Sequence, residues 1–344
     1  MRARTGPHPQ ERVPKERAFV NIVLYAVIVL FWGTTWIGIK LQLGSVDPAV
    51  SVAYRFLLAA LCMFIWTGVR KLPMRFPVRS HLRLALVGLL MYSVNYVLFY
   101  YCSEHLVSGL VSIIFCLSVG FNILNGRIFL KRPISRTVVL GAIAGVVGLA
   151  MVFGDDIAHT KASSGLLTGV LLGLGATLLF SFGNITSSWN QSQGGLPVVQ
   201  STAWSMLYGG LFTTIGCLFA GNSFTVEPSF KYVAGLVYLS VCGSAIAFVT
   251  YLTLLSRIGP DRAAFATVAF PVVSLSLSTV FEHYRWNALA VLGVLVVLVA
   301  NAFILAGPQL RALLGRLSPG SGTRTAGAAA AEHTTATENG PSRG

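Results

Sequence analysis

Residues 19–39, FVNIVLYAVIVLFWGTTWIGI, form 21 consecutive positions without a charged side chain. As a helix with a rise of about 1.5 Å per residue, this stretch is long enough to cross about 30 Å of hydrocarbon. It is too long for the apolar part of a signal peptide, and no small-residue cleavage site follows it. The stretch therefore predicts a first membrane-spanning helix that the protein retains.

Apolar blocks of the same kind recur along the 344-residue chain. The chain is 54% hydrophobic and only 10% charged, whereas soluble domains have roughly 25% charged residues. The blocks are apolar throughout rather than alternating, which excludes a membrane β-barrel. We therefore predict an all-α membrane protein with about ten transmembrane helices. The predicted spans are 19–39, 48–67, 83–102, 107–129, 136–154, 165–187, 197–220, 232–254, 262–281 and 287–306.

The basic residues predict how these spans are oriented. If the spans alternate in direction from a cytoplasmic N-terminus, 20 of the 25 Lys and Arg residues fall on the inner side and 4 on the outer side. By the positive-inside rule, this predicts a multi-pass protein of the cell (inner) membrane with both termini in the cytoplasm. The net charge of +14 comes from residues between apolar blocks, so no nucleic-acid partner is expected.

The two halves of the chain show weak self-similarity. The segment that begins at Pro48 resembles the one that begins at Pro197, and residues 117–132 resemble residues 269–284. Five spans in each half would make two such repeats inverted in the membrane, an arrangement found in many transporters. The predicted organisation is a cytoplasmic N-terminal tail (1–18), a first five-helix repeat (19–154), a second five-helix repeat (165–306) and a disordered cytoplasmic tail (307–344).

Three short motifs resemble a known family. They are FWGTTW at residues 31–36 with Lys40 following, YRFLLAA at residues 54–60, and FPVV at residues 270–273 with Glu282 further on. In this order and spacing they resemble EamA-type proteins of the drug/metabolite transporter (DMT) superfamily, over about residues 19–306. The resemblance implies ten helices in two inverted EamA-like repeats around a central cavity, and export of small organic solutes.

The first half departs from the family pattern. The fourth helix of the family often has Leu-x-Pro and a Leu-Gly-Glu ending, whereas this chain has LSV at residues 117–119 and LKR at residues 130–132. Because the proline and the acid are missing, roles tied to these two positions do not carry over to this chain.

Acidic and imidazole side chains lie only in tails, loops or at the edges of the predicted spans. Because a proton relay normally uses such groups inside the membrane, transport is predicted not to depend on a buried carboxylate. Two acid–imidazole pairs at outer edges, Glu104-His105 and Glu282-His283, are the candidate proton sites. The alternative interpretation is that these four are ordinary loop residues.

Arg55 is the one charged residue well inside a predicted span. An arginine there costs several kcal/mol unless it is paired or faces water, and no acidic residue lies in any span to pair it. It either faces a cavity, where it can bind a substrate carboxylate bidentately, or extends to the outer headgroups or to backbone carbonyls. Both interpretations remain open from the sequence.

Large aromatic and amide side chains near the middle of spans are further candidates for a cavity lining. Trp32, Asn95 and Tyr251 fit best, and Asn184 is comparable but closer to the end of its span. The aromatics can stack on an organic solute, and the amides need partners that hydrocarbon does not supply. Aromatic belts at the membrane interface are the alternative explanation for the aromatic residues.

Two common enzyme motifs are absent: the chain has no GxxxxGK[ST] or HExxH pattern. The five cysteines include no CxxC pair, so neither a metal site nor a disulfide framework is expected, and no cofactor is implied.

We interpret the chain as a secondary transporter of small organic metabolites, such as amino acids, similar amphipathic solutes or drugs, that works as an exporter by alternating access. The alternative is a non-transporting membrane receptor or scaffold, and the sequence leaves a homodimer open.

Overall fold

The structure is a computed structural model that describes residues 15–131, 136–159, 164–258 and 266–317. In these residues it contains ten helices and no β-strand. The helices are α1 (Lys15–Gln42), α2 (Pro48–Val69), α3 (Val78–Val87, Gly88–Ser93 and Val94–His105), α4 (Ser108–Cys116 and Ser118–Leu130), α5 (Arg136–His159), α6 (Ser164–Ser192), α7 (Val198–Ala220), α8 (Phe230–Ser240, Val241–Ile246 and Ala247–Ile258), α9 (Ala266–Phe281) and α10 (Ala288–Leu317).

The all-α prediction is confirmed, and the number of helices equals the predicted number of spans. Seven helices, α1 to α4 and α6 to α8, are long and apolar enough to cross a membrane. In α5, α9 and α10 the described apolar segments are shorter, at 139–153, 269–281 and 288–303. Ten membrane crossings therefore remain a prediction.

The chain divides into two units, residues 1–305 and residues 306–344. The first unit holds the helix bundle. In the second unit, the structure describes a helical segment that continues α10 to Leu317. The predicted cytoplasmic N-terminal tail falls mostly outside the described residues, and so does the predicted C-terminal tail beyond Leu317.

Helix ends follow local sequence signals. Asp47 caps α2 by accepting a hydrogen bond from the Ala49 backbone N–H at 2.8 Å, and Pro48 occupies the first helical position, which suits a residue without an N–H. Gly221, with φ of 72°, ends α7 in the left-handed conformation that glycine adopts most readily. These signals explain why α2 and α7 begin and end close to the predicted bounds.

The helices pack in a pattern that relates the two halves. Helix α1 packs against α8 and α9, while α6, its equivalent in the second half, packs against α3 and α4. Helix α2 packs against α7, and the first segment of α4 packs against α9. The pattern is unchanged when the first five helices are exchanged with the last five, so it fits an architecture of two repeats.

Both repeats also contain the same backbone irregularity. A turn of π-helix interrupts α3 at Gly88–Ser93 and α8 at Val241–Ile246, so the second turn begins 153 residues after the first. A π-helical turn adds a residue to the local ring of hydrogen bonds, and such turns occur often at functional sites. The first turn lies in α3, which packs mainly against α6. The second turn lies in α8, which packs mainly against α1.

Two glycines allow α5 and α10 to approach closely. A Cβ atom on Gly293 would lie 2.6 Å from the carbonyl oxygen of Gly148 and 2.7 Å from the backbone nitrogen of Val152. A Cβ on Gly148 would in turn lie 2.8 Å from the carbonyl oxygen of Gly293. Because backbone atoms cannot move aside as a side chain can, this crossing requires glycine, as close helix contacts in membranes often do.

We expect Gly293→Ala to lower the thermal stability of the purified protein, because overpacking a tight contact costs about 1–3 kcal/mol. Gly216→Ala is the matched control, because a Cβ on Gly216 in α7 meets no atom within 4 Å and alanine is the better helix former. Unfolding in detergent can be followed by tryptophan fluorescence. A Gly293→Ala protein as stable as Gly216→Ala would contradict the proposed crossing.

Candidate functional site

A narrow cavity lies between six helices, three from each repeat. Its wall comes from α1, α3 and α4 on one side and from α6, α8 and α9 on the other. Its volume of about 30 Å³ holds about one or two water molecules, so an organic solute cannot enter without movement of the wall. The lining side chains are Trp32, Thr35, Trp36, Ile39, Asn95, Tyr96, Phe99, Phe115, Phe180, Phe248 and Phe270.

Aromatic rings close this cavity from both repeats. The ring of Phe115 lies 4.7 Å from that of Phe180 and 5.8 Å from that of Phe270, measured between centroids. On the same side Phe115 contacts Trp36 at 5.6 Å and Phe99 at 5.7 Å. These are normal distances for edge-to-face and tilted ring pairs, so the wall is a set of interlocking rings contributed by both repeats.

Trp32 and Asn95, two of the residues proposed from the sequence, lie in the cavity wall. Asn95 is fully buried and donates from Nδ2 to the carbonyl oxygen of Ala176 at 3.4 Å. Its Oδ1 has no hydrogen-bond partner within the described part of the chain. The wall therefore offers one buried acceptor that a polar group in the cavity can satisfy.

Tyr251 and Asn184 lie elsewhere. The ring of Tyr251 packs on Trp32 at 5.0 Å and belongs with Ile28 and Leu254 to a small cluster beside the cavity, so it supports the wall from behind. Asn184 is half-buried on α6 and is not among the described residues that line the cavity.

Arg55 is fully buried between α2 and α8. Its Nε donates to the hydroxyl of Ser244 at 3.1 Å, and its guanidinium lies 4.7 Å from the ring centroid of Tyr96 and 5.5 Å from that of Phe56. Because Tyr96 lines the cavity on its other side, one ring separates the cation from the cavity. An arginine that extends to the lipid headgroups is not compatible with a side chain that has no exposed surface.

Sequence reasoning missed the partner of Arg55. Ser244 lies in the π-helical turn of α8, 189 residues from Arg55, and no local motif signals such a contact. The preceding residue, Gly243, is required there, because a Cβ would lie 2.9 Å from Oγ1 of Thr35. The π-turn of α8 thus places the hydroxyl of Ser244 and the backbone of Gly243, which has no side chain, next to the Arg55 guanidinium.

Acidic side chains at one end of the bundle are engaged with loops and helix termini. We call this the Asp47 end; it includes the C-termini of α1 and α3. Asp47 accepts from Asn222 Nδ2 at 2.6 Å in addition to capping α2. Glu227 accepts from the hydroxyls of Ser45 at 2.6 Å and Ser229 at 2.7 Å, and these hydrogen bonds hold the pKa of Glu227 below its ordinary value.

The candidate proton sites lie at the same end, outside the cavity lining. Glu282 directs both carboxylate oxygens at Ser108, accepting from its backbone N–H at 2.8 and 3.1 Å and from its hydroxyl. Glu282 therefore caps the N-terminus of α4. Glu104, His105 and His283 are exposed, so water reaches these three directly.

An aromatic cluster that the sequence did not indicate lies at the opposite end, which we call the His81 end. The Nδ1 atom of His81 is hydrogen-bonded to the hydroxyl of Tyr208 at 2.8 Å, and its ring lies 4.7 Å from that of Trp204. The Nε1 of Trp204 donates to the carbonyl oxygen of Met74 at 3.1 Å. The cluster ties the segment between α2 and α3 to α7.

Comparisons with known proteins agree with this architecture. The model of the EamA-like transporter family matches the chain twice, at residues 20–154 and 167–306. The chain is similar to an uncharacterized inner membrane transporter of Escherichia coli K12, YedA, with 28% identity over 286 residues, 80% of this chain and 89% of the relative. Protein PecM of Dickeya dadantii is 24% identical over 286 residues, covering 81% and 90% of the two chains.

A third relative and one solved structure extend the match. The uncharacterized transporter YoaV of Bacillus subtilis is 20% identical over 271 residues, covering 78% of this chain and 91% of its own. A crystal structure of a protein with 15% identity superimposes with a TM-score of 0.62 over 88% of this chain and 99% of the other. That likeness shows the fold alone. With two matches that together span most of its length, the chain belongs to the EamA-like transporter family of membrane transporters.

Proposed function

We propose that the protein is a secondary transporter that exports small organic solutes across the inner membrane by alternating access. One observation carries the proposal: a narrow, mostly aromatic cavity lies where three helices of each repeat meet. Transporters built from inverted repeats hold their substrate at the interface between the repeats. Relatives named as transporters, one of them in the inner membrane, support the same assignment.

The chemistry of the wall favours a small amphipathic solute. Flat aromatic faces suit a planar or apolar part, while Asn95 offers a hydrogen-bond acceptor. Amino acids, similar metabolites and drugs fit this description. In this proposal Trp32 and Asn95 contact the solute and Arg55 lies behind Tyr96. Tyr251 supports Trp32, and Asn184 extends the site along α6 if the cavity widens.

Alternating access requires the two ends to open in turn. At the Asp47 end, the hydroxyl of Tyr232 on α8 is hydrogen-bonded to Ser51 on α2 at 2.9 Å. At the His81 end, Tyr208 on α7 is hydrogen-bonded to His81 on α3. Each contact joins one repeat to the other, so breaking either one is a way to open one end while the other stays closed.

The main rival is a membrane receptor or scaffold that transports nothing. The transporter and receptor hypotheses differ in what happens to a bound solute, because a receptor binds its ligand without moving it across the bilayer. Flux into vesicles that contain the purified protein therefore decides between them.

We expect Trp32→Ala and Asn95→Ala to reduce flux by about fivefold or more in proteoliposomes tested with labelled amino acids, nucleobases and drugs. Loss of a hydrogen bond to a buried polar group costs about 1–3 kcal/mol, or roughly 5- to 150-fold. The amount of folded protein in the membrane should stay near that of the wild type. Asn301→Ala is the comparison, since it removes a buried span amide on α10 outside the cavity lining. Wild-type flux in both cavity variants would remove these residues from the site.

Any coupling to protons is expected at Glu104, His105, Glu282 and His283, because no Asp or Glu lies within a predicted span. Replacing the acids by Gln and the histidines by Asn should abolish the acceleration of flux by an imposed pH gradient. Glu282→Gln keeps an oxygen that can accept from Ser108, so α4 should keep its cap. An unchanged response to the gradient in the fourfold variant would show that this placement of the relay is wrong.

Orientation is expected to place residues 69–81 in the cytoplasm and residues 155–164, which lie partly outside the described range, on the outer side. In a protein without its five natural cysteines, Ser223→Cys at the Asp47 end should react with an impermeant thiol reagent in intact cells. Arg75→Cys, equally exposed at the His81 end, should react only after the cells are opened. Labelling of Arg75→Cys in intact cells would contradict the orientation.

A further inference from the structure

Three buried donor nitrogens on α1 and α2 have no acceptor at normal hydrogen-bond distance in the part of the chain that the structure describes. They are Nη1 and Nη2 of Arg55 and Nε2 of Gln42. Arg55 is 0% exposed and Gln42 is 2% exposed. A buried donor that makes no hydrogen bond costs about 1–3 kcal/mol, and more when it is charged.

Tyr100 connects the two side chains. Its hydroxyl donates to Oε1 of Gln42 at 2.8 Å, which occupies the acceptor of that amide and leaves its donor free. The same hydroxyl faces the Arg55 guanidinium closely enough to form a weak hydrogen bond with it. The cluster of Arg55, Gln42 and Tyr100 therefore presents donors and a positive charge, and we call it the donor cluster.

The acidic side chains described at this end are committed elsewhere. Asp47 is bound to the start of α2 and to Asn222, Glu227 to Ser45 and Ser229, and Glu282 to Ser108. Glu104 is exposed to solvent. A buried charge without a counter-charge costs several kcal/mol, and no described acid is placed to offset that of Arg55.

The donor cluster adjoins the cavity at two points. Tyr96 lines the cavity and stacks on the guanidinium. Thr35 also lines the cavity, and a Cβ on Gly243 would contact both Thr35 Oγ1, at 2.9 Å, and Arg55 Nη2, at 3.5 Å. Because Gly243 has no side chain, only a short gap separates the cavity from the terminal nitrogens of Arg55.

We propose that the donor cluster is a carboxylate subsite, and that the transported solutes are organic acids whose apolar part occupies the aromatic cavity. The inference rests on the proposed transport function and narrows its substrate class. A guanidinium binds a carboxylate through two parallel hydrogen bonds, and Nε2 of Gln42 supplies a further donor. A neutral amide or alcohol of the same shape cannot replace the negative charge.

The first test measures the protein without added ligand. Arg55→Met removes the charge but keeps an unbranched side chain, and replacing an uncompensated buried charge by an apolar group is often stabilising. We expect Arg55→Met to melt at a higher temperature than the wild type in detergent. Arg70→Met is the control, because Arg70 is exposed, and it should leave the melting temperature unchanged. A lower melting temperature for Arg55→Met would show that Arg55 is a structural group and would overturn the subsite.

The second test uses pairs of ligands. Phenylacetate, indole-3-acetate and hydrophobic amino-acid anions with a blocked amino group are each compared with the corresponding neutral amide. At least one acid should raise the melting temperature of the wild type and bind at least tenfold more tightly than its amide. Arg55→Met should lose this preference, and Arg70→Met should keep it. Equal binding of every acid and its amide would overturn the proposal.

Three further outcomes test parts of the proposal, and the last two separate the subsite from the proposed function. Stabilisation by sodium chloride that matches that of the acids would indicate an inorganic anion site and would overturn the carboxylate assignment. Acids that bind through Arg55 but are not carried into vesicles would sustain the subsite and refute transport. Flux of the acids that is unaffected in Arg55→Met would sustain transport and refute the subsite.

Discussion

Hydrocarbon offers no hydrogen-bond partner, and this constraint decides where polar groups of the chain lie. Backbone groups are satisfied within helices, and caps such as Asp47 and Glu282 satisfy helix ends at the edges of the bundle. Side chains that are polar within spans turn toward other helices, as Asn95 and Arg55 do. The cavity lies where several of these inward-facing groups meet, so the constraint that makes the chain helical also concentrates its chemistry between the two repeats.

The backbone of the two repeats is alike, whereas the chemistry at the two ends differs. With Pro48 aligned on Pro197, Arg55 of α2 corresponds to Trp204 of α7. Arg55 reaches the π-turn of α8, while Trp204 packs against His81 and Met74 near the start of α3. One end therefore holds a buried cation and the other an aromatic and imidazole cluster.

Much of the helix arrangement could be predicted from sequence, because blocks of apolar residues and their breakers are local signals. The predicted span 48–67 corresponds to the helix Pro48–Val69, and the predicted span 197–220 corresponds to the helix Val198–Ala220. Whether a residue within a span faces lipid or the interior of the bundle could not be predicted equally well. A lipid-facing surface is as apolar as the bundle interior, so periodicity does not separate them. Asn184 and Asn95 looked alike for this reason, although only Asn95 lines the cavity. Ser244, Gln42 and Tyr100 were missed because their contacts join distant segments through a π-turn and helix ends.

In the proposed carboxylate subsite, the contact between Arg55 and Tyr96 would limit how tightly an acid is held. A buried cation–π contact is worth about 2 kcal/mol, and hydrogen bonds to charged groups are worth about 1.5–3 kcal/mol each. Two such hydrogen bonds to a carboxylate would contribute more free energy than the cation–π contact with Tyr96. Desolvation of the acid and movement of Tyr96 would offset part of this gain. For such a subsite we therefore expect a moderate net affinity. Moderate affinity suits transport, since a solute held too tightly would not leave when the opposite end opens.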